Sequence, residues 1–182
     1  MTKAEIAERT ARFSELQSMN VPIDRDLVSQ DAMDVIFARE ILPIIMEKSK
    51  NPFGDVGAIY GANGLAMNIS ILPPNQGPCL HAHNATFETF IVLEGSIKFH
   101  VGEPGAQEHV ILERWDTFSC PPEVYRGFNN ASDAEQAVLL TIINGNPNVR
   151  DDVNVPASVT HHLRDTYGEP VVEEFRQVVA LP

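Results

Sequence analysis

The chain has 182 residues, of which 43% are hydrophobic and 21% charged, so it can form one sizeable hydrophobic core with an ordinary composition. Its 25 acidic residues outnumber the 13 basic ones, and the formal net charge of -12 argues against binding to nucleic acid or an anionic membrane surface. Two cysteines, Cys79 and Cys120, form neither a disulfide framework nor a structural zinc site alone. The N-terminus lacks the apolar core of a signal peptide, and we expect a cytoplasmic protein with no membrane span.

Residues 1–55 predict an N-terminal helical arm. Residues 3–18 have a weak apolar face at helical spacing, which Pro22 ends. A second helical pattern follows Asp31, a candidate N-cap, and continues until Pro43 interrupts it. The apolar positions of this second pattern are Met33, Ile36, Phe37, Ile41 and Leu42. Its apolar face has to be covered by the chain's own β core or by a partner subunit, and the sequence leaves both open.

Residues 56–146 predict an all-β core. In the segment 65–71, apolar residues at odd positions alternate with Ala66, Asn68 and Ser70, which is the period-two pattern of a strand. Glycine, proline, asparagine and aspartate mark the turns between the segments that follow. Further strands are predicted at 85–94, 96–101, 107–113, 117–120, 124–130 and 136–143. Short strands at this rhythm are typical of a β-sandwich or a β-barrel.

Residues 147–182 predict a surface connection followed by a C-terminal helix. The segment 147–160 is rich in aspartate, asparagine and proline and has no strand pattern. The helix is predicted to begin at Glu169, with Pro170 in its first turn. Its apolar stripe consists of Val171, Phe175, Val178 and Val179.

A candidate metal site lies in the stretch from Gly77 to Gly95. His81 and His83 are two residues apart, so in an extended strand they share one face, and Glu88 follows in the next run of strand-forming residues. Two imidazoles and one carboxylate suit a divalent transition metal such as iron, manganese, zinc or nickel, and leave coordination positions open for another ligand.

This stretch resembles the first motif of the cupin superfamily. The spacing Gly77-x3-His81-x-His83-x4-Glu88-x6-Gly95 is similar to the family pattern G-x5-H-x-H-x3,4-E-x6-G, with the first glycine two residues closer to the histidines. The second family motif, G-x5-P-x-G-x2-H-x3-N, corresponds to Asp116-x4-Pro121-x-Glu123-x2-Arg126-x3-Asn130. The proline and the asparagine are retained, whereas the glycines are lost and arginine replaces the histidine.

The resemblance implies a double-stranded β-helix, or jelly-roll barrel, over about residues 64–143, with the metal ligands His81, His83 and Glu88 inside it. The fourth ligand of the family is missing, because Arg126 is a permanent cation and cannot bind a metal. Two outcomes are open at this point. Arg126 stands beside a metal and holds a substrate anion by a forked hydrogen bond, or it pairs with Glu88 and abolishes the metal site.

Strand alternation also predicts the walls of the chamber around this site. We expect apolar side chains to point inward with His83 and Glu88, and to bind a small organic acid or an aromatic fragment. The residues expected to do so are Phe90, Val92, Phe99, Phe128, Met67 and Ile69, with Phe90, Phe99, Phe128 and Met67 as substrate-binding candidates. The same residues would also fill the interior of a small barrel.

The remaining histidines and the cysteines carry weaker signals. His100 alternates with core positions and is expected to face outward, and His109 is expected to be an exposed strand residue that could replace the lost ligand. Adjacent side chains diverge, so a joint role for His161 and His162 is not expected. The two thiols are expected to be small apolar residues rather than metal ligands.

Two functions follow from the sequence. The first is a metal-dependent enzyme of the cupin type, such as a dioxygenase-like oxidoreductase, with iron preferred over manganese, nickel or zinc and with Arg126 as a catalytic residue that steers a small anionic substrate. The second is a non-catalytic cupin that binds a small molecule, with Arg126 paired to Glu88 and no metal. A homodimer is expected in either case, because cupins commonly pair and the apolar arm needs cover.

Overall fold

A computed structural model describes residues 1–47, 53–61, 63–145 and 152–182 of the chain. The strands in these ranges are β1 (Glu40–Met46), β2 (Ile59–Tyr60), β3 (Leu65–Leu72), β4 (Ala82–His83), β5 (Phe87–Glu94), β6 (Ile97–Val101), β7 (Glu108–Leu112), β8 (Thr117–Cys120), β9 (Arg126–Asn130), β10 (Ala137–Asn144) and β11 (Val153–Asn154). The helices are α1 (Lys3–Ala7), the short 3-10 helix Phe13–Glu15, α2 (Gln30–Ile36), α3 (Ala157–Tyr167) and α4 (Glu169–Arg176). None of these helices has the length and apolar character needed to cross a membrane.

The strands form two packed sheets and a short two-stranded ribbon. The larger sheet has the order β2-β1-β3-β10-β5-β8, the smaller sheet has the order β7-β6-β9, and β11 pairs with β4. All neighbours are antiparallel except β1 and β2. Phe90 of the larger sheet packs against Phe99 and Phe128 of the smaller one, with ring centroids 5.0 and 5.3 Å away, in the core between them. The prediction of an all-β core is confirmed.

The strand predictions between residues 65 and 144 are confirmed. Alternation of apolar and polar residues marks the strands of a sheet with two different faces, and turn residues mark the ends of these strands. Three regions outside this range were predicted wrongly. Residues 40–46 form strand β1 instead of the end of a helix, and α3 occupies part of the segment that was predicted to be a surface connection. Helix α1 ends at Ala7, so residues 3–18 do not form one helix.

Pro43 explains why the helical pattern of the arm was misleading. It lies inside β1, where β2 pairs only with Ile45 and Met46, so no neighbouring strand requires a backbone N–H from Pro43 on that side. The register against β3 shifts between Pro43 and Ile45. Proline is tolerated in strands at edges and bulges of this kind. Pro43 is therefore compatible with a strand at this position as well as with the end of a helix, so it does not distinguish the two.

The apolar face of α2 is covered by the C-terminal part of the same chain. Ala32, Met33 and Ile36 belong to one buried cluster with residues of α3, α4 and the C-terminal segment. The other buried members of this cluster are Ile23, Val28, Val155, Leu163, Val171, Val172, Phe175, Val178, Val179 and Leu181. This cover is neither of the two that the sequence analysis considered, because it comes from the C-terminal helices and not from the β core. Helix α4 begins at Glu169 with Pro170 in its first turn, as predicted.

The alternation in β3 was assigned to the wrong faces of the sheet. Directly paired residues of antiparallel strands share a face, and Thr141 of β10 pairs with both Phe90 and Asn68. Phe90 points into the core, so Asn68 and, two residues on, Ser70 point inward as well. Met67 and Ile69 consequently point to the outer face, where Ile69 packs with Leu42 and Val138. The prediction that Met67 and Ile69 line the chamber is wrong.

Two glycines fix the ends of the stretch that carries the histidines. A Cβ atom on Gly77 would lie 1.9 Å from the carbonyl oxygen of Phe128, so no other residue fits there without moving β9. Gly95 has a φ of +74°, in the left-handed region that favours glycine, and closes the turn between β5 and β6. Both glycines therefore hold the connections that bring β4, β5 and β9 together.

Candidate metal centre

His81, His83 and Glu88 come together at one end of the core. His83 ends β4, Glu88 lies in β5, and the backbone of His81 exchanges two hydrogen bonds with that of Arg126 at the start of β9. One potential ligand atom from each of the three side chains lies within 4.8 Å of the other two. Nε2 of His83 and Oε2 of Glu88 are 3.7 Å apart. The three residues predicted to be metal ligands therefore form one cluster.

The imidazole of His81 is held with Nε2 available as a ligand. Its Nδ1 lies 2.8 Å from the carbonyl oxygen of Cys79, which can only accept a hydrogen bond. Burial and the nearby positive charge of Arg126 lower the pKa of His81 to about 4. The ring is therefore neutral at physiological pH, and with Nδ1 as the donor, Nε2 carries the lone pair.

The imidazole of His83 is held in the same way by a carboxylate. Nδ1 of His83 lies 2.7 Å from Oδ2 of Asp152, which also accepts a hydrogen bond from the hydroxyl of Thr86 at 2.6 Å. Burial opposes the ionisation of Asp152, but hydrogen bonds from His83, Thr86 and the Ala85 amide outweigh it and lower its pKa to about 2. The ionised carboxylate makes Nδ1 the donor, so that Nε2 is available as a ligand.

Asp152 is the residue of this site that sequence reasoning missed. It lies just before β11, in the segment predicted to be a surface connection, and is 4% exposed. Its separation from His83 by 69 residues offers no periodic signal. A carboxylate or carbonyl that accepts from the second ring nitrogen is the usual support of a metal-binding histidine, and both histidines have one.

Arg126 does not occupy the position expected of a substrate-binding residue. Its Nε and Nη2 both donate to Oε2 of Glu88, at 2.9 and 2.6 Å, and Nη1 contacts the carbonyl oxygen of Val124 at 3.5 Å. The residue is 0% exposed and lies outside the lining of the cavity beside the histidines. Of the two arrangements left open by the sequence, the structure has the pair between Arg126 and Glu88, and a role of Arg126 toward a substrate stays a prediction.

The pair between Arg126 and Glu88 keeps the carboxylate ionised. Burial alone would raise the pKa of Glu88, but the positive charge of Arg126 and its hydrogen bonds outweigh this effect, and the pKa lies below its usual value. Both hydrogen bonds from Arg126 end on Oε2. Two imidazoles and an ionised carboxylate at these distances form a set of donors that could hold a divalent transition metal.

A cavity of about 210 Å³ opens beside His81, His83 and Glu88. Phe128 lines it, as predicted, whereas Phe90 and Phe99 are fully buried in the core and lie outside its lining. Ile36 and Phe37 contribute from the arm, and the C-terminal segment contributes Val178 and Val179. The cavity therefore has the ligand cluster on one side and an apolar wall built from both ends of the chain on the other.

Comparison with known proteins identifies the family of the β core. Residues 68–143 match the sequence model of the cupin domain. These residues form a cupin domain. They include the candidate ligands and Arg126, while α2, Asp152 and the C-terminal helices lie outside the matched range. No curated protein matches the chain in sequence.

Solved structures resemble this cupin domain in fold. A conserved protein with a double-stranded beta-helix domain from Klebsiella pneumoniae is 19% identical, with a TM-score of 0.43, over 51% of this chain and 75% of that one. The TT1209 protein of Thermus thermophilus is 24% identical, with a TM-score of 0.43, over 49% of this chain and 80% of that one. A structure of the DMSP lyases RdDddP and RnDddQII is 18% identical, with a TM-score of 0.47, over 64% of this chain and 52% of that one.

The cupin domain has the predicted double-stranded β-helix fold, and its second motif has a structural role. Asn130, which matches the family asparagine, is fully buried, and its side-chain amide donates to the carbonyl oxygens of Leu72 and Glu135 at 3.0 and 2.7 Å. These bonds join the end of β9 to β3 and to the turn before β10. Glu123 stands where the family has glycine and adopts a φ of 65°. The second motif thus retains its turn geometry without its metal ligand.

The other histidines and the cysteines lie away from the cluster or act differently from ligands. His100 and His109 pair across β6 and β7, with their Nδ1 atoms 3.0 Å apart, so His109 does not replace the missing ligand. His161 and His162 are exposed on α3. Burial raises the pKa of the Cys79 thiol to about 12 and also raises that of Cys120, as expected for protonated thiols.

Proposed function

We propose that the cupin domain is a metal-dependent enzyme that binds a divalent transition metal through Nε2 of His81, Nε2 of His83 and the carboxylate of Glu88. The observation that carries this proposal is the fixed tautomer of both imidazoles. Each Nδ1 forms a hydrogen bond with an oxygen acceptor, which leaves the Nε2 atom of each ring to bind a metal. A half-buried and a buried imidazole in this arrangement have no comparable role in packing alone.

Iron is the preferred metal, with manganese, nickel and zinc as alternatives. Two histidines and one carboxylate form the ligand set of non-haem iron oxygenases, and such a metal supplies Lewis acidity together with open positions for substrate and oxygen. We therefore infer a dioxygenase-type oxidoreductase. The chain's own residues fix the ligands, hold the carboxylate ionised and exclude bulk water from the apolar side of the cavity.

The substrate is a small anionic organic molecule. The charges of the ion and of Arg126 together exceed those of the carboxylates Glu88 and Asp152, so the cavity with its metal has a net positive charge. Arg126 contributes to this attraction through its charge and through the position of Glu88, to which its Nε and Nη2 already donate. Apart from Asn68, Ser70 and Thr141, the lining around the cluster is apolar, which favours an acid with a hydrophobic body.

A second function is favoured by the pair between Arg126 and Glu88. The two side chains are 2.6 Å apart and buried, so they neutralise each other without any metal. A cupin domain of this kind would bind a small molecule without catalysis, using the cavity and the hydrogen-bonding side chains of its wall. Metal content distinguishes the two functions, because the first requires an ion and the second does not.

The experiment is metal analysis of the full chain after anaerobic expression in medium supplemented with iron or manganese. About one transition metal per chain, lost in His81→Ala and His83→Ala and kept in His161→Ala, would support the enzyme. His161 is a matched control because it is an exposed histidine on α3. Oxygen uptake that depends on both the metal and a small organic acid would then identify the oxidoreductase.

A further inference from the structure

Three polar side chains form a patch on the inner face of the larger sheet, next to the metal ligands. Thr141 of β10 pairs directly with Asn68 of β3, and Ser70 follows Asn68 on the same face. Glu88 pairs with Ile143, two residues from Thr141 on the same side of β10. All three polar residues line the cavity that also contains His81, His83 and Glu88. We call Asn68, Ser70 and Thr141 the polar patch.

The polar patch makes no hydrogen bonds within the described part of the protein. Ser70 and Thr141 are 4% and 3% exposed, and neither side chain, nor that of Asn68, has a hydrogen-bond partner among the described residues. Among these residues, Thr160 has the one side-chain oxygen or nitrogen that is both sealed from solvent and unpartnered. The hydroxyls of Ser70 and Thr141 therefore open onto the cavity. A buried polar group without a partner is unfavourable, so these hydroxyls are placed to bond a molecule in the cavity.

The outer face of the same strand has the opposite character. Ile69 and Ile71 flank Ser70 and belong to an apolar cluster on the other side of the sheet. The polar residues of β3 thus face the interior, and the apolar ones face outward. Burial of apolar side chains alone would favour the reverse orientation, with Ile69 and Ile71 facing the interior. A ligand bound in the cavity would explain why the polar side chains face inward instead.

We propose that the polar patch binds a hydroxyl or carbonyl group of the substrate, and that the substrate is a small hydroxylated or carbonyl-bearing organic acid with an apolar body. This inference rests on the proposed function, since the acid group is assigned to the metal. Asn68 offers a donor and an acceptor, and each hydroxyl can do either. The polar patch is adjacent to Glu88, so a polar substituent and a metal-bound acid group belong to the same small molecule.

The cavity limits the size and shape of this molecule. Its volume of about 210 Å³ is below the ~300–1,000 Å³ of pockets for drug-sized ligands. Phe37 and Phe128 provide aromatic surface, and Val178 and Val179 close the apolar side. A single ring or a short branched chain, with an acid group at the metal and a polar substituent on the polar patch, satisfies these features together.

The test is calorimetric titration of the metal-loaded full chain with three acids: benzoate, 3-hydroxybenzoate and 4-hydroxybenzoate. Neither hydroxybenzoate can chelate a metal through its hydroxyl and carboxylate together. A gain in affinity over benzoate therefore reflects contacts of the hydroxyl with the protein. We expect one of them to bind about five to ten times more tightly than benzoate. The gain should disappear in at least one of Asn68→Ala, Ser70→Ala and Thr141→Val, while the affinity for benzoate changes less than twofold.

The matched control is Thr117→Val, the same chemical change in the same sheet. Thr117 of β8 is exposed and pairs with Ile91, which neighbours the inward Phe90 and so faces outward. The hydroxyl gain should be unchanged in this variant. Equal affinities for the three acids, no binding of any of them, or a gain that survives all three patch variants would overturn the assignment.

Failure of this inference can be separated from failure of the proposed function. Metal content is measured on every sample, and the titrations are repeated on metal-free protein. A chain that takes up no metal but keeps the hydroxyl preference contradicts the enzyme and supports the polar patch. A chain with a full metal complement and no hydroxyl preference contradicts the polar patch and leaves the metal site standing.

Discussion

The carboxylate of Asp152 lies 2.7 Å from Nδ1 of His83, although 69 residues separate them in the chain. Asp152 also accepts hydrogen bonds from Thr86 and from the backbone amide of Ala85, at 2.6 and 2.7 Å. These contacts bind the segment after the β core to the end of β4 and to the loop that follows it. The C-terminal part of the chain therefore orients a metal ligand as well as covering the arm.

Replacement of Asp152 tests this orienting role. In Asp152→Asn the side chain is neutral, and its amide group no longer enforces Nδ1 of His83 as a donor. We expect metal affinity to fall roughly 10- to 100-fold, as for other residues that support metal-binding histidines. Competition with a fluorescent chelator measures this change directly.

The control for this substitution is Asp133→Asn, which changes an exposed aspartate in the turn before β10. Its metal affinity should equal that of the wild type. A metal affinity of Asp152→Asn within twofold of the wild-type value would show that Asp152 is merely structural.

Loss of Arg126 should destabilise the metal-free protein strongly. Arg126→Met removes the partner of a buried carboxylate, and an uncompensated buried charge of this kind costs about 3–5 kcal/mol. Urea unfolding followed by circular dichroism measures the free energy of unfolding. A loss below about 1 kcal/mol would mean that Glu88 finds another partner or is protonated without cost.

Removal of both charges should restore much of that stability. The double variant Arg126→Met, Glu88→Leu replaces the ion pair by apolar side chains, a change that is often neutral or stabilising in a protein interior. The same variant should bind no metal, because it lacks one of the three ligands. Stability no better than that of Arg126→Met alone would contradict the view that the pair is the source of the loss.

Arg126→His should restore the histidine of the second cupin motif. The shorter, neutral imidazole releases Oε2 of Glu88 and adds a possible fourth ligand, so metal content should be kept or raised. Metal analysis alongside wild-type protein is the measurement. Loss of metal in this variant would refute the placement of residue 126 beside the metal.

A homodimer remains our prediction for the state in solution, with the outer face of the larger sheet as the contact. Partly buried apolar residues surround Leu42, Ile69 and Val138 on that face, and they include Ile44, Ile71, Leu93 and Leu140. Light scattering at micromolar concentration should give the mass of two chains. Ile71→Asp should shift it to one chain, whereas a monomeric wild-type protein would contradict the prediction.

Local pattern was sufficient to predict the β core and the ligand cluster. The motif around His81, His83 and Glu88 depends on spacing within short strands, and the structure brings these residues together as expected. The pairing of Arg126 with Glu88 was one of the two arrangements that the charge of Arg126 alone left open. Its contact with Glu88 joins β9 to β5, and only the relative placement of the two strands decides between a substrate and a carboxylate as partner.

Tertiary contacts explain the predictions that were wrong. Asn68 and Ser70 face inward although Met67 and Ile69 are the more apolar residues, because a second apolar layer covers the outer face of β3. Alternation gives the period of a strand but not which face is inside. Asp152 was missed for a related reason, since its partner His83 lies on a distant part of the chain.

The central claim is that His81, His83 and Glu88 hold a metal, and the most direct measurement is the metal content of the purified full chain. Protein expressed anaerobically with iron or manganese should contain about one transition metal per chain, and His83→Ala should lose it. Less than about a tenth of an equivalent in the wild-type protein would contradict the claim and favour a metal-free cupin with Arg126 and Glu88 as a closed pair.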